Sequence, residues 1–197
     1  MARELGLLAP DRVVGIHVTE VLSASATQET ADMSDPREAA SVEAGQRYDY
    51  QLSGCMWVQS QRPQTLAFAL TDSPVGQLAW IAERFKDWTD SSDAPEDAVD
   101  RDALLTDVML YWLTGTAASS SRIYREGAEG WGQDERTGVV PTGMAVLPRN
   151  IAVPVRRLAE QTENIVHWSE LPRGGHFPGL EAPADLAADL RAFFSAL

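Results

Sequence analysis

The strongest constraint on this chain is a contrast between its ends and its middle. Both ends alternate strand-like and helix-like segments as layered α/β structure does, and the long stretch between them does not. Near the N-terminus, a short apolar helical segment (Met1 to Leu8) passes through Pro10 and Asp11 into Val13-Val14-Gly15-Ile16-His17-Val18, a largely β-branched run suited to a buried parallel strand. The C-terminal third repeats the alternation. A strand is predicted near Gly143 to Leu147, a helix over about Val153 to Gln161 and a strand over Ile165 to Leu171. In the closing helix Pro183 stands in the first turn, and Leu186, Leu190, Phe193, Phe194 and Leu197 recur at helical spacing, so one face packs on a sheet.

In the middle, Ser23 to Arg37 is polar and reads as a loop, whereas Pro74 to Trp88 and Asp102 to Tyr124 carry helical periodicity. Thr89 to Ala98 is an acidic, proline-containing connector. Five of six tryptophans (Trp57, Trp80, Trp88, Trp112 and Trp131) fall in this region. They suit a helical core of their own, with a minority lining an apolar pocket.

Composition narrows the partners. Sixteen Lys plus Arg against 29 Asp plus Glu give a net charge of −13, which repels phosphate backbones and anionic lipid. No apolar run reaches the roughly 20 residues that span a bilayer, and the segment from Met1 has no signal-peptide pattern. The expectation is a cytoplasmic protein with no nucleic-acid or membrane partner. A single cysteine, Cys55, leaves no internal disulfide. The three histidines, His17, His167 and His176, are too far apart in sequence for a metal-ligand motif, and no metal or cofactor is expected.

The predicted strand Ile165 to Leu171 runs into Pro172-Arg173-Gly174-Gly175-His176-Phe177. That places His176 on a glycine-softened turn just past a strand's carboxyl end, where open α/β sheets carry their chemistry. His176 is the leading candidate for a site residue. His17, in mid-strand, reads as structural.

Four segments resemble the epoxide hydrolases of the microsomal and juvenile-hormone type: Ser53 to Trp88 (SGCMWVQSQRPQTLAFALTDSPVGQLAWIAERFKDW), Leu104 to Gly127, Val140 to Ile151 (VPTGMAVLPRNI), and Pro172 to Phe194 (PRGGHFPGLEAPADLAADLRAFF). The resemblance runs along the whole chain and is weakest between Leu22 and Ala44. It implies an α/β fold, the C-terminal part of an α/β-hydrolase with about three parallel strands, flanking helices and a helical cap. Core segments 1–19 and 140–197 would then enclose a cap over 20–139.

In that family a carboxylate opens the epoxide and a histidine activates the water that hydrolyses the resulting ester. Two cap tyrosines protonate the leaving oxygen. The resemblance places the base at His176 and one tyrosine at Tyr124. At the other tyrosine position this chain has Cys55, a weak donor. Where the family has the histidine-orienting acid, Pro148-Arg149-Asn150 puts the amide of Asn150. Some related hydrolases carry that acid at the end of an earlier strand, and Glu20 stands there. Glu20 is thus either the relocated acid, with Asn150 a bystander, or an exposed residue in the first turn of the cap. The family's nucleophilic aspartate would precede Met1, and no G-x-D-x-G or G-x-S-x-G pattern replaces it. The expected substrate is a small apolar epoxide. The expected partner is a separate N-terminal half or a second copy; the alternative is an inactive homologue serving as a small-molecule or protein-binding module.

Overall fold

The computed structural model describes residues 2–20, 24–127 and 136–197. Trp131 therefore lies outside the described residues, as does Ser23 at the start of the predicted loop.

Three parallel strands form one sheet in the order β1 (Ile16–Val18), β2 (Pro141–Val146), β3 (Asn164–Glu170). Parallel neighbours need crossover connections. Helix α8 (Arg156–Thr162) makes the short one from β2 to β3, and everything from α2 to α7 is inserted in the long one from β1 to β2. As the central strand, β2 is buried on both faces, with Thr142, Met144 and Ala145 fully inaccessible. It is built mainly from small residues, with Thr142 and Val146 its two β-branched positions.

Helix α10 (Pro183–Ser195) covers one sheet face. Its Phe193, only 1% exposed, lies against Gly143 of β2. A Cβ on Gly143 would fall 2.9 Å from the Phe193 ring and 3.0 Å from the His17 ring, so glycine is needed there for the helix to seat. On the N-terminal side, α1 (Ala2–Leu8) packs beside β1.

Proline and capping residues punctuate the inserted helices. Helix α2 (Pro36–Arg47) begins after Asp35, whose carboxylate accepts from Arg37 N. A π-helical turn (Tyr48–Leu52) continues it into α3 (Gly54–Gln61). Helices α4 (Pro63–Asp72) and α5 (Pro74–Trp88) follow, each with proline in its first turn, and Ser73 caps α5 by accepting from Gly76 N. Asp100 caps α6 (Arg101–Thr114), which stops at Gly115 in the left-handed region with φ +64°. Helix α7 (Ala117–Gly127) completes the set. The single helical pattern read over Asp102 to Tyr124 is thus two helices broken at that glycine.

Other boundaries also differ from the sequence reading. Strand β1 is three residues long because Val13 to Gly15 lead in without pairing to β2. Helix α8 starts at Arg156, since Pro154 and Val155 are held in extended bridging contacts to Ser25 and Ala24. Helices α2, α3 and α4 lack a strong apolar period and were not anticipated.

Phe85, Val99, Leu104 and Val108 form the core of the inserted helices, joined by Phe177 from the loop after β3. A second cluster of Leu52, Cys55 and Trp88 also contacts Phe177. The histidine-bearing loop is therefore the point where inserted helices and sheet meet. The tryptophans divide accordingly: Trp88 is buried, while Trp57 is 55% exposed and contributes little core.

Candidate active site

His176 is positioned by its loop, and the loop is fixed mainly by one carboxylate. Gly174 has φ +101°, and a Cβ on Gly175 would lie 2.5 Å from the Trp88 carbonyl oxygen and 3.0 Å from that of Arg149. Two consecutive glycines let the chain pass between α5 and the end of β2. Glu181, buried in the short helix α9 (Pro178–Glu181), accepts from Gly175 N at 2.8 Å, Phe177 N at 2.9 Å and Asp90 N at 2.8 Å. His176 N donates to Trp88 O at 2.7 Å, and its ring meets the Trp88 ring edge-on at 5.2 Å. Sequence reasoning missed Glu181, because its three partners are backbone amides that leave no mark in side-chain composition.

Two residues from different strand ends converge on one ring nitrogen. Asn150 Oδ1, after β2, lies 3.0 Å from His176 Nδ1, and Glu20 Oε2, just beyond β1, lies 3.5 Å from the same atom. Asn150 is not a bystander, contrary to the expectation that went with a relocated acid. Its amide orientation is set by two further bonds: Oδ1 accepts from Ile151 N at 2.8 Å, and Nδ2 donates to Thr19 O at 3.3 Å. An oxygen facing Nδ1 requires a proton there, so neutral His176 is the Nδ1–H tautomer with Nε2 bare. Glu20 is not solvated in the manner of an exposed helix-start residue. Its side chain is 18% exposed, and Oε2 is buried without a hydrogen-bond partner at ordinary distance. One ring nitrogen thus faces both an amide and a carboxylate.

Among the inserted helices lies a cavity of about 300 Å³, lined in part by Cys55, Trp80, Trp88, Tyr111, Tyr124 and Phe177. Trp88 and Phe177 also flank His176, each with its ring 5.2 Å from the imidazole. Burial raises the pKa of the Tyr124 phenol, the neighbouring Cys55 adds to this, and a hydrogen bond with Gln59 opposes it. Gln59 is itself buried and accepts from Ser121 Oγ at 3.3 Å, so its amide ties α3 to α7 behind the tyrosine. Cys55 is 4% exposed, and its thiol has only the distant Leu52 carbonyl, at 4.0 Å, as an acceptor.

Tyr48 precedes Cys55 by seven residues in the sequence. The π-helical turn nevertheless brings it into the Cys55–Trp88 cluster. Burial, followed by the proximity of Cys55, Tyr124 and Glu20, pushes its pKa up to about 12. Its hydroxyl meets a thioether, Met56 Sδ, at 3.8 Å.

The remaining histidines are also brought together. His17 Nε2 and His167 Nε2 lie 2.7 and 2.8 Å from the two carboxylate oxygens of Asp189. These bonds outweigh burial and hold the Asp189 carboxyl below its usual range. Sequence spacing gave no sign of this grouping.

A parallel sheet whose last strand leads into a buttressed histidine packed against inserted helices defines an α/β-hydrolase with a helical cap. The chain is 42% identical over 196 residues to the "Putative epoxide hydrolase" of Stigmatella aurantiaca (strain DW4/3-1), a match covering 98% of this chain and 44% of that protein. Among solved structures, the Aspergillus niger epoxide hydrolase superposes with a TM-score of 0.83 at 27% identity, covering 98% of this chain and 49% of that one. The juvenile hormone epoxide hydrolase of Bombyx mori gives 0.85 at 25%, covering 98% and 51%. A scan of family models finds no match. The chain belongs to the epoxide hydrolase family and spans about half the length, or less, of these relatives. No helix among the described residues is long and apolar enough to cross a membrane.

Proposed function

We propose that this chain supplies the water-activating base and the oxygen-protonating cap of an epoxide hydrolase site, and that the nucleophilic carboxylate comes from a complementary N-terminal half. The carrying observation is the ring of His176, with Nδ1 held by Asn150 and Glu20 and Nε2 left to accept a proton. In the complete site a carboxylate oxygen attacks an epoxide carbon and the C–O bond breaks. The ring oxygen then takes a proton from the Tyr124 phenol. His176 Nε2 removes a proton from water, the water oxygen adds to the ester carbonyl, the ester C–O bond breaks with the added hydroxyl's proton passing to the departing diol oxygen, and the imidazolium returns its proton to the Tyr124 phenolate, which regenerates carboxylate, imidazole and phenol. Glu20 balances the imidazolium formed in that step, a role Asn150 alone cannot fill.

On this reading, residues 1–19 and 140–197 are core, residues 20–139 are cap, and the protein acts in the cytoplasm on a small apolar epoxide fitting the cavity. Cys55 favours the second reading, an inactive homologue that binds a small molecule in the same cavity.

The test is complementation. The purified chain alone should form no diol from styrene oxide. Mixed or co-expressed with the N-terminal half of the Stigmatella relative, it should turn the substrate over, and His176→Ala should abolish that turnover. Refolded, associated halves without activity would support the inactive reading, and turnover by the chain alone would mean that a nucleophile within it has been overlooked.

A further inference from the structure

The second histidine group shares no residue with the His176 site, and its construction is specific. Strands β1 and β3 are separated only by β2, and the register sets His17 opposite Gly143 and Gly143 opposite His167. The alignment depends on a register shift between Thr142 and Gly143 that passes over Val166 and re-aims β3. Because Gly143 has no side chain, the two imidazoles stand on one sheet face to either side of it, their centroids 6.3 Å apart, with the Phe193 ring packed over the glycine. Asp189 reaches both imidazoles from α10.

The two Nε2 atoms and a carboxylate oxygen all lie within 4.8 Å of one another. Ser169, two residues beyond His167 and so on the same face, has a buried Oγ that makes no hydrogen bond of ordinary geometry yet stands close enough to Asp189 to help hold its carboxyl low. Phe193 walls the group, with its ring 5.7 Å from that of His17 and 5.8 Å from that of His167. The His17 and Asp189 side chains are 3% and 7% exposed, whereas His167 at 25% leaves a path from solvent.

We propose that His17, His167 and Asp189 form a binding site for a divalent transition-metal ion of the zinc class, separate from the His176 site. Two imidazole nitrogens and one carboxylate make a borderline donor set, which suits Zn(II), Co(II) or Ni(II) and disfavours the all-oxygen preference of Mg(II) and Ca(II). Ser169 Oγ or a water would supply the fourth position.

In the metal-free chain each Nε2 stands at hydrogen-bond distance from a carboxylate oxygen. Ion binding replaces those shared protons. Each neutral imidazole keeps one proton, moved to Nδ1, and a histidine protonated beforehand releases one to solvent. Metal–ligand bonds of about 2.0–2.2 Å require the ligand atoms to spread to roughly 3 Å or more. A rotation of the Asp189 side chain and a small shift of the part-exposed His167 can provide this. The ion would clamp α10 to both outer strands of the sheet.

The experiment uses the full, untagged, chelator-treated chain, titrated with zinc chloride by equilibrium dialysis and with cobalt chloride by visible absorption. We expect one equivalent of zinc with a micromolar or tighter dissociation constant, tetrahedral or five-coordinate Co(II) bands, and a melting temperature raised by about 5 °C or more at saturation. Asp189→Asn and His167→Ala should each weaken uptake by more than about 100-fold, beyond what loss of a merely supporting contact costs. His167→Gln, at a part-exposed position, is the variant least able to unfold the chain, and circular dichroism verifies its fold. His176→Ala should bind zinc as the parent does. Failure of the parent to take up zinc would reduce the group to a hydrogen-bonded pin, and uptake unchanged in the folded Asp189 and His167 variants would place the ion elsewhere. Either result overturns the proposal, and neither bears on the role of His176.

Discussion

Tyr48 shows how a single residue can change meaning once the chain is folded. Its phenol is shielded by Trp88 and the cap helices, and the nearby Cys55, Tyr124 and Glu20 all oppose a further negative charge. The pKa in the folded chain is about 12, against an ordinary value of 10.0. Between these two values the unfolded chain loses this proton while the folded chain keeps it. The associated stability is therefore fully present below pH 10 and is lost as pH rises toward 12. Absorbance titration of the four tyrosines should show late-ionising phenols, with the latest component missing in Tyr48→Phe. A parent curve in which all four ionise together near pH 10 would contradict the burial of this group. Glu20 and Asn150 carry the same lesson, since both approach the same nitrogen of the His176 ring. In the complemented enzyme Glu20→Gln should lower kcat more than KM, by roughly 10²-fold or more, because the imidazolium that Glu20 balances forms only during turnover. An unchanged kcat would show that the amide of Asn150 suffices.

At the scale of an element, the loop between β3 and α9 depends on Glu181. Its carboxylate satisfies three backbone N–H groups, two within the loop and one, Asp90 N, from the connector after α5. Truncation to alanine strands all three in a buried place, at a cost of about 3 kcal/mol or more. Urea unfolding of Glu181→Ala should show this as a lowered midpoint with an unchanged slope. A loss below about 1 kcal/mol would mean that the glycines and the bond from His176 N to Trp88 O hold the loop without it. The sequence reading took Thr89 to Ala98 as a solvated connector. That description fits much of the segment, but Thr89 is buried and Asp90 is anchored to Glu181.

For the whole molecule, the open side of the sheet dominates. Strand β1 pairs only with β2 among the described residues, so its other backbone edge has no strand partner there. Beside it Leu5, Leu8 and Val14 are 59, 75 and 75% exposed. An unpaired parallel edge next to apolar side chains is a template for association. Light scattering after size exclusion should find concentration-dependent oligomers, and the complementary N-terminal half should compete with them. A strictly monomeric sample with one cooperative unfolding transition would show that this edge protects itself.

Much of this was legible in the sequence because it is written locally. Strand-forming runs, proline-led helix starts and the Gly174-Gly175-His176 turn announce themselves over a few neighbouring residues, and these gave the α/β class and the leading site residue. The four matching blocks carried the family, because identity at spaced positions is itself a property of sequence. Convergence across the fold was not legible. Glu20 and Asn150 are 130 residues apart yet meet at one nitrogen, and His17, His167 and Asp189 meet only because β1, β2 and β3 pair in that order beneath α10. Parallel pairing with long crossovers places distant residues side by side, and the register, including the shift at Gly143, decides which of them touch. Local pattern thus determined which elements exist, and the packing of sheet, cap and closing helix decided which side chains act together.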